Sequence, residues 1–504
     1  MVHAIARGNR APGRDGRGAG TRAEQGRAVD TGGRCSTARL PAATATNEEM
    51  AATRRRLTGV HAHLRCSPSP SAAAAARDES PAPILLDDAA MKEFIKTGFV
   101  LLAPDAAGMP PLDVHQQNWT DGCALQEDAD AGVHSVGDNI VASIPGVSTV
   151  LEAPAVRGVL QSVLGEGYTY HPHHFMHMTS PQTDQFWHKD SGRPWGGRKM
   201  RHHQSIEAML LYYPQDTTED LGPTVLLPGT PYWEDGPKPP KEGMGAATTP
   251  DEKDSIFRSS FERLGWPEET APHKVVVPAG SVAIVHFDIY HRGSRRLESA
   301  DDEGRKRLMY KFWLSRTADP TSPSWDHTPQ PDDDCPEAFG GGNAPGRLGA
   351  VWTHAWNWLR GAPAGRRAID PAALQQQQQQ RGRELSSVAE LQAELLGDSE
   401  PERIAASYEL AALAPTDPAA LAALHHSLIG DAGGDGDGEG GEARGDGGDN
   451  NAKMELGLAA RRAATFGLVS LGPLATSAFL DATAASRPSE VRTSPSLSDF
   501  PLAY

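Results

Sequence analysis

The sequence predicts a mainly β fold, a barrel or sandwich of short strands with helices beside it. Three observations carry this. Apolar or alternating runs of strand length recur from residue 206 to 314. Gly/Pro turns separate them, at Leu221-Gly222-Pro223, Pro228-Gly229-Thr230 and Pro278-Ala279-Gly280. The runs are rich in Val, Ile, Tyr, Phe and Trp, which suit a pleated, half-buried surface.

Order is expected to begin near Ile84. The segment AAMKEFIKTGFVLLAPD suits a short amphipathic helix, a turn at Thr97-Gly98 and a strand over Phe99–Leu102. From 141 to 317 the pattern reads as strands and short loops. The strand candidates are IEAMLLYY (206–213), TVLL (224–227), HKVVV (273–277), VAIVHFDI (282–289) and LMYKFWL (308–314). A Trp-rich helix candidate, AVWTHAWNWLRG (350–361), follows, with Trp352 and Trp356 spaced to pack together against the barrel.

The ends differ in composition from the middle. Residues 1–82 are rich in Arg, Ala, Gly and Ser and poor in acids, and read as a disordered or transit-type extension. A transit peptide would direct the chain to a plastid or mitochondrion; otherwise the cytoplasm is expected. Residues 83–362 form the expected catalytic domain and 363–383 a Gln-rich linker. Residues 384–480 carry Ala and Leu at helical spacing, with a degenerate HEAT-like flavour, interrupted by an acidic Gly linker over 431–451. A tail over 481–504 completes the division.

A net charge of −17 argues against a broad nucleic-acid-binding face, which needs a basic surface. Four scattered cysteines form no CxxC pair and no disulfide framework. No stretch reaches the length of a transmembrane span.

The chemistry-bearing stretch is Gln185-Phe186-Trp187-His188-Lys189-Asp190. In a strand, side chains two residues apart share a face, so His188 and Asp190 converge. A distant third ligand would complete a two-His-one-carboxylate triad, which holds iron(II) and leaves positions open. His291, 101 residues after Asp190, ends the apolar run VAIVHFDIYHRG; His286 in the same run is its competitor. Arg305 and Arg307 lie on one strand face at the entrance to LMYKFWL, where a guanidinium can grip a carboxylate bidentately.

Four pieces occur in order: F-x-x-x-G-F-V-x-L (Phe94 onward), Q-x-W-H-x-D (Gln185–Asp190), G-P-T-x-x-x-P-G-T (Gly222–Thr230), and H-R-G followed by R-K-R (His291–Gly293, Arg305–Arg307). On these the chain resembles the phytanoyl-CoA dioxygenase family of 2-oxoglutarate enzymes over about residues 84–317. The resemblance implies a double-stranded β-helix, a jelly-roll or cupin-like barrel. It implies iron(II), 2-oxoglutarate and O2 as cofactor and cosubstrates, with His188, Asp190 and His291 as iron ligands. The cosubstrate arginine is Arg305 by best fit and Arg307 by alternative. The expected reaction hydroxylates an unactivated C–H of a small-molecule or lipid-like substrate, with release of succinate and CO2. An Asp at position 190 leaves no ligand vacancy for a halide, which favours hydroxylation over halogenation. The family's Asn-x-Ser/Thr element after the distal His is replaced here by Gly293-Ser294-Arg295-Arg296.

Other readings attach to the same residues. His171, His173, His174 and His177, and the pair His202 and His203, are candidates for a second metal site, though pocket-facing histidines are the commoner case. Trp187 reads as core, and Gln185 as a residue near the pocket. The insertion from Tyr232 to about Glu268 is expected to shape the substrate pocket. Two rival functions are a binding or scaffold protein engaging a partner through its C-terminal helices, and a zinc or iron cupin-like enzyme with no need of an oxo acid.

Overall fold

Asp87 opens the first helix, α1 (Asp88–Thr97), by accepting from the Ala90 backbone N–H at 2.8 Å. Gly98 ends it at φ 87°, in the left-handed region that favours glycine, and strand β1 (Phe99–Leu102) follows at once. The predicted helix, turn and strand are therefore all present. The computed structural model describes residues 81–478 apart from 131–139, 173, 180–183, 191–202, 234–254, 256, 260–261, 263, 267–270, 298–305, 330–347, 363–385 and 430–446.

The segment expected to continue as strands begins instead with helices. After α2 (Leu112–Asp130) come α3 (Ile140–Ser143), α4 (Pro145–Leu151) and α5 (Pro154–Leu164). Pro145 and Pro154 each stand in the first turn of a helix, where a missing N–H costs nothing. Val147, Val150 and Leu151, then Val156, Val159, Leu160, Val163 and Leu164, recur at helical spacing and are buried. Tertiary burial outweighs the strand preference of these β-branched residues.

The strands are β2 (Thr169–Tyr170), β3 (Phe175–Thr179), β4 (Glu207–Tyr213), β5 (Thr224–Leu227), β6 (His273–Lys274), β7 (Ser281–His286), β8 (Tyr290–Gly293) and β9 (Arg307–Ser315). All named pairings are antiparallel. One sheet has the order β1-β7-β4-β9-β2, with β3 also pairing β9, and a second has the order β6-β5-β8. Period-two alternation sorts the side chains. Met209, Leu211 and Tyr213 of β4, Ala283 and Val285 of β7, and Met309 of β9 meet Leu226 of β5 in the second sheet and Val275, just after β6. The opposite faces of β4, β7 and β9, through Leu210, Tyr212, Ile284, Leu308, Tyr310 and Phe312, pack on Met91, Phe94, Ile95 and the α4–α5 residues.

Helix α6 (Gly349–Leu359) is buried along its length, with Trp352 and Trp356 in the main core as the spacing predicts. Helices α7 (Val388–Leu395), α8 (Glu400–Leu413), α9 (Pro418–Ile429) and α10 (Gly447–Leu471) share a second core built on Leu391, Leu395, Leu410, Leu424 and Leu468. They are also fastened to the sheet-bearing half. Ile404, Tyr408 and Phe466 belong to the main core, and the Tyr408 hydroxyl meets His203 Nδ1 at 2.8 Å. With the helices of 112–164 and 388–471 added, helical residues outnumber strand residues among those described. The mainly β expectation is thereby corrected to antiparallel sheets with abundant helix. The N-terminal stretch to residue 80, most of the two linkers and the tail from 479 lie outside the described residues. No described helix is long and apolar enough to cross a membrane.

Candidate metal centre

His188 and His291 face each other across an isolated antiparallel bridge. The His188 N–H donates to the His291 carbonyl at 3.1 Å, and the His291 N–H to the His188 carbonyl at 3.0 Å. This places the rings side by side, with centroids 4.4 Å apart. Asp190, two residues on, shares the face of His188. Its Oδ1 is 3.9 Å from His188 Nε2, and its Oδ2 is 3.6 Å from His291 Nε2. The three ligand atoms lie within 4.8 Å of one another, and among the described residues no other such group occurs.

Those separations are too long for hydrogen bonds. They suit a shared ion, since two bonds of about 2.1 Å to one metal span up to about 4.2 Å. The tautomers agree. His188 Nδ1 lies 2.8 Å from the Phe186 carbonyl and His291 Nδ1 3.2 Å from the Ile289 carbonyl. An Nδ1–H donating there leaves each Nε2 as a lone pair aimed at Asp190. His291 Nε2 is buried and has no hydrogen-bond partner, which a metal bond would remedy. Two imidazoles and one carboxylate, with His188 40% exposed beside them, fit iron(II) with positions left open on one side.

Electrostatics favour the ligating forms. Burial works to raise the Asp190 carboxyl, but the Lys311 ammonium, His291 and His188 outweigh it and hold it below its usual range. Burial and then Lys311 depress His291, which stays neutral. His177, on the same inward face, is pushed down to about 4 by burial and by Lys311 and Arg307.

The flanking motifs hold these ligands in place. Lys189 points away from the ion side, because it alternates with its neighbours. Its ammonium donates to the carbonyls of Thr230 (2.8 Å), Pro231 (3.4 Å) and Trp233 (2.6 Å), beneath the Tyr290 ring. Thr230 donates its hydroxyl to the Leu227 carbonyl and accepts from Tyr290 N–H, fixing the strand that carries His291. Gln185 does not enter the ion site: its Oε1 accepts from Gly293 N–H at 2.8 Å and extends the pairing to β8. Trp187 stacks on Phe257 and carries the Arg292 guanidinium 4.6 Å above its ring, a packing role.

Arg307 opens β9 opposite Thr179 and is 4% exposed. Its guanidinium donates to the carbonyl of Gly222, the first residue of the G-P-T motif. Arg305 lies outside the described residues, as do His173 and His202. His286 takes no part in the ligand group: it packs toward Phe94 of α1, and its Nδ1 accepts from Asp288 N–H. His171, His174 and His203 rest against Trp313, Phe312 and Phe466 rather than forming a second metal group.

Sequence reasoning missed Lys311. It sits on β9 with Arg307, Met309 and Trp313 on one face, and its ammonium pairs with Asp190. Strand parity counted from Arg307 would have found it.

Among solved structures, similarity extends to HygX from Streptomyces hygroscopicus with nickel and 2-oxoglutarate bound (14% identity, 46% of this chain, 88% of that chain, TM-score 0.31). It extends also to the alpha-ketoglutarate-dependent carbocyclase SnoK from nogalamycin biosynthesis (14% identity, 47% and 88%, TM-score 0.33). A third is the non-heme monooxygenase ThoJ in its nickel complex (16% identity, 47% and 84%, TM-score 0.29). No curated protein matches the sequence. The sequence profile of phytanoyl-CoA dioxygenase (PhyH) matches residues 41–301, just over half of the chain. With that match, the protein belongs to the phytanoyl-CoA dioxygenase family and is a 2-oxoglutarate-dependent dioxygenase that works with iron(II) and O2.

Proposed function

We propose that the protein hydroxylates a C–H bond of a small-molecule substrate, with His188, Asp190 and His291 holding the iron and Arg307 gripping the distal carboxylate of 2-oxoglutarate. The observation that carries this is the convergence of His188, Asp190 and the buried, unpartnered His291 Nε2 on one point. Bound iron(II) supplies O2 activation coupled to decarboxylation of 2-oxoglutarate to succinate and CO2.

The chain's own residues do the rest. The two Nδ1 hydrogen bonds fix both imidazoles in the ligating tautomer. Arg307 offers a rigid fork of donors in a buried place, where pairing with a carboxylate is strong. The inward apolar residues Met209, Leu211, Val285 and Met309 limit water behind the site. Asp190 occupies the ligand position that a halide would need, which supports hydroxylation. The two antiparallel sheets enclosing one apolar core support the double-stranded β-helix reading.

The test is anaerobic titration with iron(II) and 2-oxoglutarate, followed by the weak visible charge-transfer band of a chelated oxo acid. The wild type is expected to develop the band and Asp190→Ala to lack it. A wild type without the band at saturating iron and oxo acid would remove the proposed site.

A further inference from the structure

The inward face of β9 carries two cations. Arg307 opens the strand, and Lys311 follows four residues later, on the same side and about 13 Å along it. Lys311 is paired across the sheet with Phe175 of β3 and Leu211 of β4, so backbone flanks it on both sides and its side chain is directed inward. It is 8% exposed.

An ammonium carries three N–H donors. One goes to Asp190 Oδ2. Among the described residues Asp190 is the sole hydrogen-bond partner of Lys311. The rings of Phe175 and Trp313 lie 5.9 Å from the nitrogen, near the limit of cation–π attraction, and they accept no hydrogen bond of ordinary strength. Buried donors without acceptors are costly, so the arrangement calls for an acceptor that arrives with a ligand.

Charge balance says what that acceptor is. Asp190 is the one carboxylate in the ligand group. Once a divalent ion is bound, the ion and Lys311 together already exceed its single negative charge. 2-Oxoglutarate brings two carboxylates. If Arg307 were to take the distal one, the carboxylate of the oxo-acid end would be left for another cation, and Lys311 is the side-chain cation bonded to a residue of the metal-ligand group.

We infer that Lys311 is a second anchor for 2-oxoglutarate, donating to the carboxylate of its oxo-acid end while holding Asp190 by its remaining donor. This rests on the proposed site. It assigns the two cations different tasks. Lys311 recognises any 2-oxo acid, whereas Arg307 distinguishes a diacid from a monoacid.

The experiment compares 2-oxoglutarate with 2-oxopentanoate, which keeps the oxo-acid end and lacks the distal carboxylate. Each is titrated anaerobically into iron(II)-saturated enzyme and followed by the charge-transfer band. Lys311→Met is expected to weaken both acids by a similar factor, about tenfold or more for a lost charge-assisted hydrogen bond. Arg307→Met is expected to weaken 2-oxoglutarate alone, leaving the two acids bound alike. Lys311→Gln, which keeps a donor, replaces the Met variant if that one unfolds. Iron affinity without oxo acid is measured in parallel, and every titration is run at saturating metal. Unchanged oxo-acid affinity in Lys311→Met, or in Lys311→Gln where the Met variant unfolds, would overturn the inference, even if iron binds less well, because Lys311 would then serve Asp190 alone. A wild type without any band would fail the proposed site itself, and the inference with it.

Discussion

The indole N–H of Trp266 donates to Glu400 Oε1 at 3.0 Å, across 134 positions of sequence. Trp266 also stacks on Trp233, centroid to centroid at 4.6 Å. The Trp233 carbonyl in turn accepts from the Lys189 ammonium, which lies between two of the three metal-type ligands. Helix α8 of the C-terminal bundle is thus joined to the His188–Asp190 segment through four side chains. Glu400 is 1% exposed and its backbone N–H donates to the Leu264 carbonyl, so the joint is buried and doubly fastened.

Glu400→Ala is expected to destabilise the fold by about 1–3 kcal/mol, because it strands a buried indole donor. Glu400→Gln keeps an acceptor and is expected to lose less. Chemical denaturation of the three proteins checks the order. Removal of residues 363–504 is expected to do more, since it strips Glu400 from Trp266 and both Tyr408 and Phe466 from His203. A truncated chain that unfolds at the wild-type temperature and binds iron(II) equally well would contradict the joint.

Lys189→Met is expected to cost about 2–4 kcal/mol, since the lost ammonium leaves the Thr230 and Trp233 carbonyls without their buried donor. The same variant is expected to weaken iron(II) binding, because the segment that carries His188 and Asp190 loses its tether. Lys189→Arg reaches the same carbonyls with a different fork and is expected to recover part of both. Denaturation and metal competition titrations give the two readouts separately.

Gly222 has φ 71°, and a Cβ there would lie 2.5 Å from the Ser294 carbonyl oxygen, a backbone atom that cannot easily yield. Its own carbonyl holds Arg307. Gly222→Ala is therefore expected to destabilise the chain and to weaken 2-oxoglutarate more than 2-oxopentanoate. Equal weakening of the two acids, read from the charge-transfer band, would detach Gly222 from Arg307.

Much of the site was legible because strand parity and turn chemistry are local. His188 and Asp190 share a face by period two, and the G-P-T and P-G-T pieces mark turns whose hydrogen bonds the structure supplies. The helices at 140–164 were not legible. Val-rich stretches such as PAVRGVLQSVL satisfy strand composition, and only their buried face, together with the first-turn prolines, decides for helix. Lys311 was hidden for a related reason. A lysine in an apolar strand reads as an exposed interruption, and its partner Asp190 lies 121 residues away. The fastening of the C-terminal helices depends on pairs such as His203 with Tyr408, 205 positions apart, which no local pattern announces.

Asp88 supplies a pH test independent of the metal site. Its carboxylate accepts from the Trp325 indole at 2.6 Å and the Thr328 backbone at 3.0 Å, and meets His327 Nδ1 at 2.8 Å, tying the start of α1 to the loop after β9. Burial works to raise its pKa, yet these hydrogen bonds prevail and hold it below the ordinary aspartate value. A group depressed in the folded state contributes stability above its unfolded pKa and loses it as pH falls through the folded one. The carboxyl is partly exposed, which moderates the size of the effect. Asp88→Asn is therefore expected to be less stable than wild type near neutral pH. The gap should narrow as acid approaches and passes the folded Asp88 pKa. Denaturation midpoints measured from neutrality into acid trace it, and a gap that stayed constant over that range would mean that Asp88 contributes through shape rather than charge.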